Sequence, residues 1–304
     1  MISKEFQYRK YKFQISGIKE ISLSNCIFEN FNSQSVVISV FGKESIVNII
    51  QDYFFNSSSV TEYGGALSIR TQLGNILLDK TCGISCNSWN HAHFIKMYST
   101  YSFEFNRSTI SENGLLSKRH ANYVLSQPRT SLNYVNVTKS LCSSYAGGVY
   151  DNGYGNSSFC IYESLRGETS CIELRNHYFN LNYFSMSNNT VPLCVLCINL
   201  SPCNLSVFNS IFIDNVCDTF SINYTGGYMI FNDCYFENTN LKSAEVSNQI
   251  LIKFDIYFGT DSTLSCVSIP NLYLKIYHQC THQMRNTCIL SSLSIHVLYV
   301  FILL

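Results

Sequence analysis

Apolar and polar residues alternate in short runs along most of this chain, and the runs end alike. "SLSNCIFEN" (Ser22–Asn30), "SVFNSIFIDN" (Ser206–Asn215) and "MIFNDCYFEN" (Met229–Asn238) each close on a polar Asn turn. A period of two places alternate side chains on one face, so each run predicts a short half-buried strand. Aligned on the final residue, the pattern has endpoints at Asn30, Asn56, Asn113, Ser140, Asn188, Asn215 and Asn238. Most intervals between neighbouring endpoints are alike, and the two long ones, from Asn56 to Asn113 and from Ser140 to Asn188, are near double the rest. One unit is therefore about 23 to 28 residues, with two copies hidden in the gaps.

A second marker keeps phase with the first. Gly64-Gly65, Gly147-Gly148 and Gly226-Gly227 each begin about 7 to 11 residues after an endpoint, as parts of one repeating unit should. Each unit reads as an alternating strand, an Asn turn, a Gly-Gly corner and another strand. A unit so short cannot bury its own apolar face and must stack on copies of itself. A four-strand propeller blade needs about 40–50 residues, which leaves a solenoid coil. Asn tolerates the left-handed backbone of a tight corner, and Gly fits where no Cβ can. The expectation is an all-β chain, a right-handed parallel β-helix of roughly nine coils with a C-terminal cap or apolar tail. At about 4.8 Å per coil these would span roughly 40 Å. Within it, Cys234 and Phe236 should point inward and Asn238 should form a corner.

The boundaries follow the pattern. Residues 1–20 form a lead-in or cap, 21–248 the repeats, and 249–287 a terminal coil or capping strands. Residues 288–304 form a charge-free apolar tail. That tail reaches only the short limit for a membrane span, about 17 residues, so it is a candidate tether. A buried strand pair or helix is the alternative.

Composition strengthens the β reading. Apolar residues make up 46% and charged residues 13% of 304, while 31 Asn, 42 Ser and 16 Thr supply the polarity. Twenty-one Tyr and twenty-one Phe favour strands. Twenty basic residues balance twenty acidic ones, so the chain lacks the basic field that nucleic-acid binding requires. The stretch "MISKEFQYRKYKFQIS" has no apolar core of a secretory leader. Fourteen cysteines would be free and buried inside a cell or paired in an oxidising compartment. Eight N-x-S/T sequons, at Asn56, Asn106, Asn136, Asn156, Asn188, Asn199, Asn204 and Asn223, are close to what this composition yields by chance.

The repeat resembles that of the polymorphic outer-membrane proteins and related parallel β-helix repeat proteins, whose motifs are F-x-x-N and G-G-A-[ILV]. "GGALS" at Gly64–Ser68 matches the second motif, while "GGVY" and "GGYM" keep only the glycines. The first motif departs, with Phe mostly two before Asn. The resemblance spans about residues 20 to 240 and implies a β-helix displayed at a surface and used in adhesion.

Candidate chemistry is sparse. "CGISCNSWNHAH" offers Cys82, Cys86, His91 and His93, two thiolates and two imidazoles as for tetrahedral zinc, without a standard finger spacing. The other reading is an irregular corner with buried thiols. "CVLCINLSPC" supplies Cys194, Cys197 and Cys203, with Cys217 beyond, in a context that favours core cysteines over a redox motif. Asp52, Asp79, Asp151, Asp214, Asp233, Asp255 and Asp261 are scattered singly, without the paired acids of a glycosidase or the acidic cluster of a lyase. No residue is assigned a catalytic or cofactor-binding role. The expectation is a non-enzymatic scaffold with protein or glycan partners; a carbohydrate-active β-helix enzyme and a metal-stabilised structural protein are the alternatives.

Overall fold

The computed structural model describes residues 11–16, 20–31, 36–41, 45–59, 65–89, 92–98, 101–114, 121–126, 129–151, 153–175, 177–198, 203–223, 229–239, 243–245 and 252–257. All regular elements among them are strands. The chain is a parallel β-solenoid. One ten-stranded sheet runs from Tyr11–Ser16 to Ser243–Glu245, and a sixteen-stranded sheet holds two series of strands from successive coils. Short pairs, Ser58–Ser59 with Asn87–Ser88 and Leu141–Cys142 with Arg166–Gly167, mark a further side of the coil.

Corners define the repeat. Left-handed φ values occur at Asn25, Gln51, Lys80, Arg107, Tyr134, Phe159, Tyr183, Asn209 and Asp233. A second set lies five residues on, at Asn30, Asn56, Ser85, Glu112, Lys139, Ser164, Asn188, Asp214 and Asn238. Within each set the spacing is about 24 to 29 residues, a shade longer than the unit the repeat predicts. Ser85 and Ser164 are the hidden copies. At Glu112, Lys139 and Asp214 the corner falls one residue earlier than the expected Asn113, Ser140 and Asn215, and those three turn inward and are buried.

Registered rows build the interior. Leu23, Ile49, Leu78, Phe105, Leu132, Ser157, Leu181, Val207 and Phe231 are successive partners across coils. Phe28, Phe54, Gly83, Ile110, Val137, Tyr162, Met186, Phe212 and Phe236 form a second row. Phe28 stacks on Phe54, and Phe212 on Phe236, each with ring centroids 4.9 Å apart. At Gly83 the row is filled from elsewhere, since a Cβ there would lie 2.4 Å from the Phe94 ring. Cys234 and Phe236 are buried and Asn238 is a corner, as the repeat predicts.

The described Gly pair is not a corner. Gly147 and Gly148 lie in the strand Tyr145–Asp151, outside the left-handed region. A Cβ on Gly148 would lie 2.1 Å from the Tyr123 ring, and one on Gly147 2.8 Å from the Tyr162 ring. Here glycine makes room for aromatic rings inside the core. Gly64, Gly226 and Gly227 lie outside the described residues, as does the expected tether, 288–304. The strand Ile252–Tyr257 pairs with Met229–Glu237 and continues the stack into the expected terminal segment. No helix among the described residues is long and apolar enough to cross a membrane.

Candidate functional site

Immediately after every described corner but the last the chain plants a buried side chain, a rung, whose backbone N–H falls between two sheet ladders. At several rungs a polar side chain of the next coil caps it. Cys26 N–H donates to Asp52 Oδ1 at 2.7 Å, Thr81 N–H to Ser108 Oγ at 2.9 Å, and Phe184 N–H to Ser210 Oγ at 3.1 Å. At the second corner Cys86 N–H donates to Asn113 Oδ1 at 2.6 Å and Leu165 N–H to Asn189 Oδ1 at 2.9 Å. A buried N–H without a partner costs about 1–3 kcal/mol, which explains short polar side chains at these inward positions. Several cysteines are rungs of this kind. Cys160 caps Val135 N–H at 3.4 Å and directs its thiol at the Ser158 and Leu132 carbonyls. Burial pushes Cys86 up to about 12, and Cys160 and Cys234 up to about 11, so these thiols are not nucleophiles at neutral pH.

The zinc candidates go to different places. Cys82 is disulfide-bonded and packs with Tyr53 and Ile84 in a small cluster separate from the main core. Its neighbour Gly83 faces the core, so strand alternation turns Cys82 outward. Cys86 faces inward as a rung, its thiol on the Phe54 and Ile84 carbonyls. His93 is buried and its Nδ1 accepts Ser88 N–H at 3.1 Å. His91 lies outside the described residues. Among the described residues no three His, Cys, Asp or Glu side chains form a metal-holding group. The C-x-x-C pair lies in the strand Cys194–Ile198, Cys203 opens the strand Cys203–Phe208, and Cys217 is buried.

The described acids are engaged separately. Asp79 takes a bidentate pair from Arg107, with Nε to Oδ1 at 2.7 Å. Asp214 accepts from Asn238 at 2.8 Å, and Glu237 from the Tyr235 hydroxyl at 2.8 Å. Asp52 is a rung. Glu173 is fully buried and holds Arg175 at 2.7 Å; burial first, and Glu173 second, push the Tyr145 phenol beside them up to about 12. Asp233 is a corner residue. Asp261 and the side chains of Asp151 and Asp255 are outside what the structure describes.

Two tyrosine arrangements were not legible from the motif. In the core the hydroxyls of Tyr123, Tyr150 and Tyr162 form a triangle, with Tyr123–Tyr150 at 2.7 Å, Tyr150–Tyr162 at 3.2 Å and a short Tyr123–Tyr162 bond. Each hydroxyl can donate once and accept once, so the group satisfies itself without water. Burial drives all three phenols upward.

Outside, the corner residues Tyr134, Phe159 and Tyr183 stack in order at 4.9 Å, within 8° of parallel. One strand length away, about 16 Å, Tyr154 and Tyr178 stack at 5.8 Å and are 58% and 50% exposed. Between the stacks lie Ser131, Asn133, Asn156, Ser158, Asn180 and Asn182, and Arg129 at the margin is the one charge in this block. The rings turn their faces to one another. A partner therefore meets ring edges, hydroxyls and amides.

No family model, curated protein or solved structure matches the chain.

Proposed function

We propose that the chain is a non-enzymatic interaction scaffold, a right-handed rod of roughly nine coils displayed at a cell surface. It binds protein or glycan partners through the uncharged face bounded by the Tyr134–Phe159–Tyr183 and Tyr154–Tyr178 stacks. That face is the observation that carries the reading. Its amides and hydroxyls recur with the coil spacing and suit a partner that hydrogen-bonds rather than one held by charge. Rigid, amphipathic tyrosines give contact area at small entropic cost. The adhesive role and the tether at residues 288–304 belong to the same proposal.

The test pairs location with binding. Protease shaving of intact cells expressing the full chain should clip it, and purified chain should bind members of a glycan array or a surface-protein extract. Replacing Tyr154 and Tyr178 by Ser and Asn156 by Ala should weaken that binding at least tenfold while leaving the unfolding midpoint in place. A protein inaccessible on intact cells and silent toward both libraries sinks the proposal.

A further inference from the structure

The polar rungs follow a second rule besides accepting an N–H. Those with a hydrogen to give direct it to the carbonyl two residues back or to the carbonyl of the coil below, whereas Phe31, Val135, Leu165 and Phe184 are apolar rungs. Thr81 Oγ1 points at the Asp79 and Ile49 carbonyls, and Cys234 Sγ at those of Asn232 and Val207. Ser108 and Ser210 give theirs to Asn106 O at 2.6 Å and Phe208 O at 2.7 Å. At the second corner the Asn rungs do both with one amide: Asn113 Nδ2 donates to Gly83 O at 3.2 Å, Asn189 Nδ2 to Tyr162 O at 3.1 Å. By register, the equivalent carbonyls at the Asp52 rung belong to Ile50 and Leu23.

A carboxylate has no hydrogen to give them. We propose that Asp52 is a proton switch built into the solenoid: it fills its rung as the neutral acid and destabilises that corner when it ionises. Its Oδ1 accepts the Cys26 N–H, while its Oδ2 is buried with no hydrogen-bond partner, the atom on which the extra proton would sit. Burial raises its pKa to about 7, against the lowering effect of the hydrogen bonds from Cys26. The titratable groups around it are the Cys26 thiol from the coil below and Tyr53 in its own coil. The coil above supplies Thr81, and the nearby Asp79 is taken up by Arg107. None of these brings a cation to the carboxylate.

The folded state thus holds a proton that the unfolded chain releases near 3.8. Stability from this group is fully present below that value and is lost as pH rises toward about 7; above it the deficit is constant. One proton changes the folding equilibrium by up to tenfold per pH unit within that window.

The experiment compares the full chain with Asp52→Asn, the amide solution the second corner already uses, and with Asp52→Ser, the residue at the equivalent rungs 108 and 210. Chemical unfolding is followed between about pH 4 and pH 8. The parent should lose up to tenfold in folding constant per pH unit relative to either variant, and both variants should exceed it at pH 8. In infrared difference spectra at about pH 5.5, the parent should show a protonated-carboxyl band that either variant lacks. Parallel pH profiles, or no such band, overturn the proposal. Should one variant fail to fold, the other variant and the parent's band still decide it.

Discussion

Asn189 Oδ1 accepts the backbone N–H of Leu165 at 2.9 Å, across one full coil of the chain. The same amide gives its Nδ2 hydrogens to the Tyr162 carbonyl and to Asn215 Oδ1, and is wholly buried. Replacing Asn189 by Ala should orphan a buried N–H, a carbonyl and part of Asn215. About 2–4 kcal/mol of stability should be lost, measured as a shift in denaturant midpoint at constant slope. A loss below about 0.5 kcal/mol would show that the rungs do not cap the backbone.

Gly148 is held by space, not by turn geometry. Gly148→Ala should destabilise by about 1–3 kcal/mol, because its Cβ meets the rigid Tyr123 ring at 2.1 Å. Gly167→Ala, whose nearest atom is 3.2 Å away, should cost clearly less. Reversed thermal midpoints would contradict the core placement of the Gly147-Gly148 pair.

The tyrosine triangle predicts alkaline behaviour. Burial raises the phenols of Tyr123, Tyr150 and Tyr162 above 10, so the folded state keeps protons that the unfolded chain releases. Stability should therefore fall as pH climbs past 10, with phenolate absorbance from these three appearing only as the chain unfolds. Tyr123→Phe should cost about 1–2 kcal/mol by removing the shared hydroxyl, and should lower the phenolate amplitude on unfolding by one tyrosine.

Thiol labelling tests the rungs from another side. Cys86, Cys160 and Cys234 should resist a thiol reagent at pH 8 in the native state and react together on denaturation. Rapid labelling of Cys86 in the folded protein would mean that its rung is open. Cys86→Ser should retain the fold, since Ser fills equivalent rungs at Ser57 and Ser140.

The period was legible because Asn30, Asn56, Asn188 and Asn238 combine left-handed tolerance with a neighbouring core Phe or Met. It was obscured where corners carry Ser85, Ser164, Glu112 or Lys139, which adopt the same backbone at a cost of about 1–2 kcal/mol offset by stacking. At Asn113 and Asn215 the letter matched but the role did not: these side chains face inward to cap another coil. That distinction is a matter of three-dimensional neighbours a whole coil away in the chain. Two of the zinc candidates part for a like reason: alternation turns Cys82 outward with Ile84, and the left-handed corner at Ser85 then turns Cys86 inward. The aromatic stacks at Tyr134 and Tyr154 span coils whose motif copies are among the most degenerate, so no short pattern announced them.

The two corner sets stay five residues apart in every coil whose corners are described, while the length of the whole coil varies from one to the next. All length variation is therefore absorbed on the opposite side of the loop. The molecule carries a fixed ruler and an elastic remainder. An inserted or lost residue is tolerated in one arc and shifts every registered row in the other. A whole coil, cut between equivalent rungs such as Cys26 and Asp52, is the natural unit for shortening, lengthening or exchanging segments of this chain.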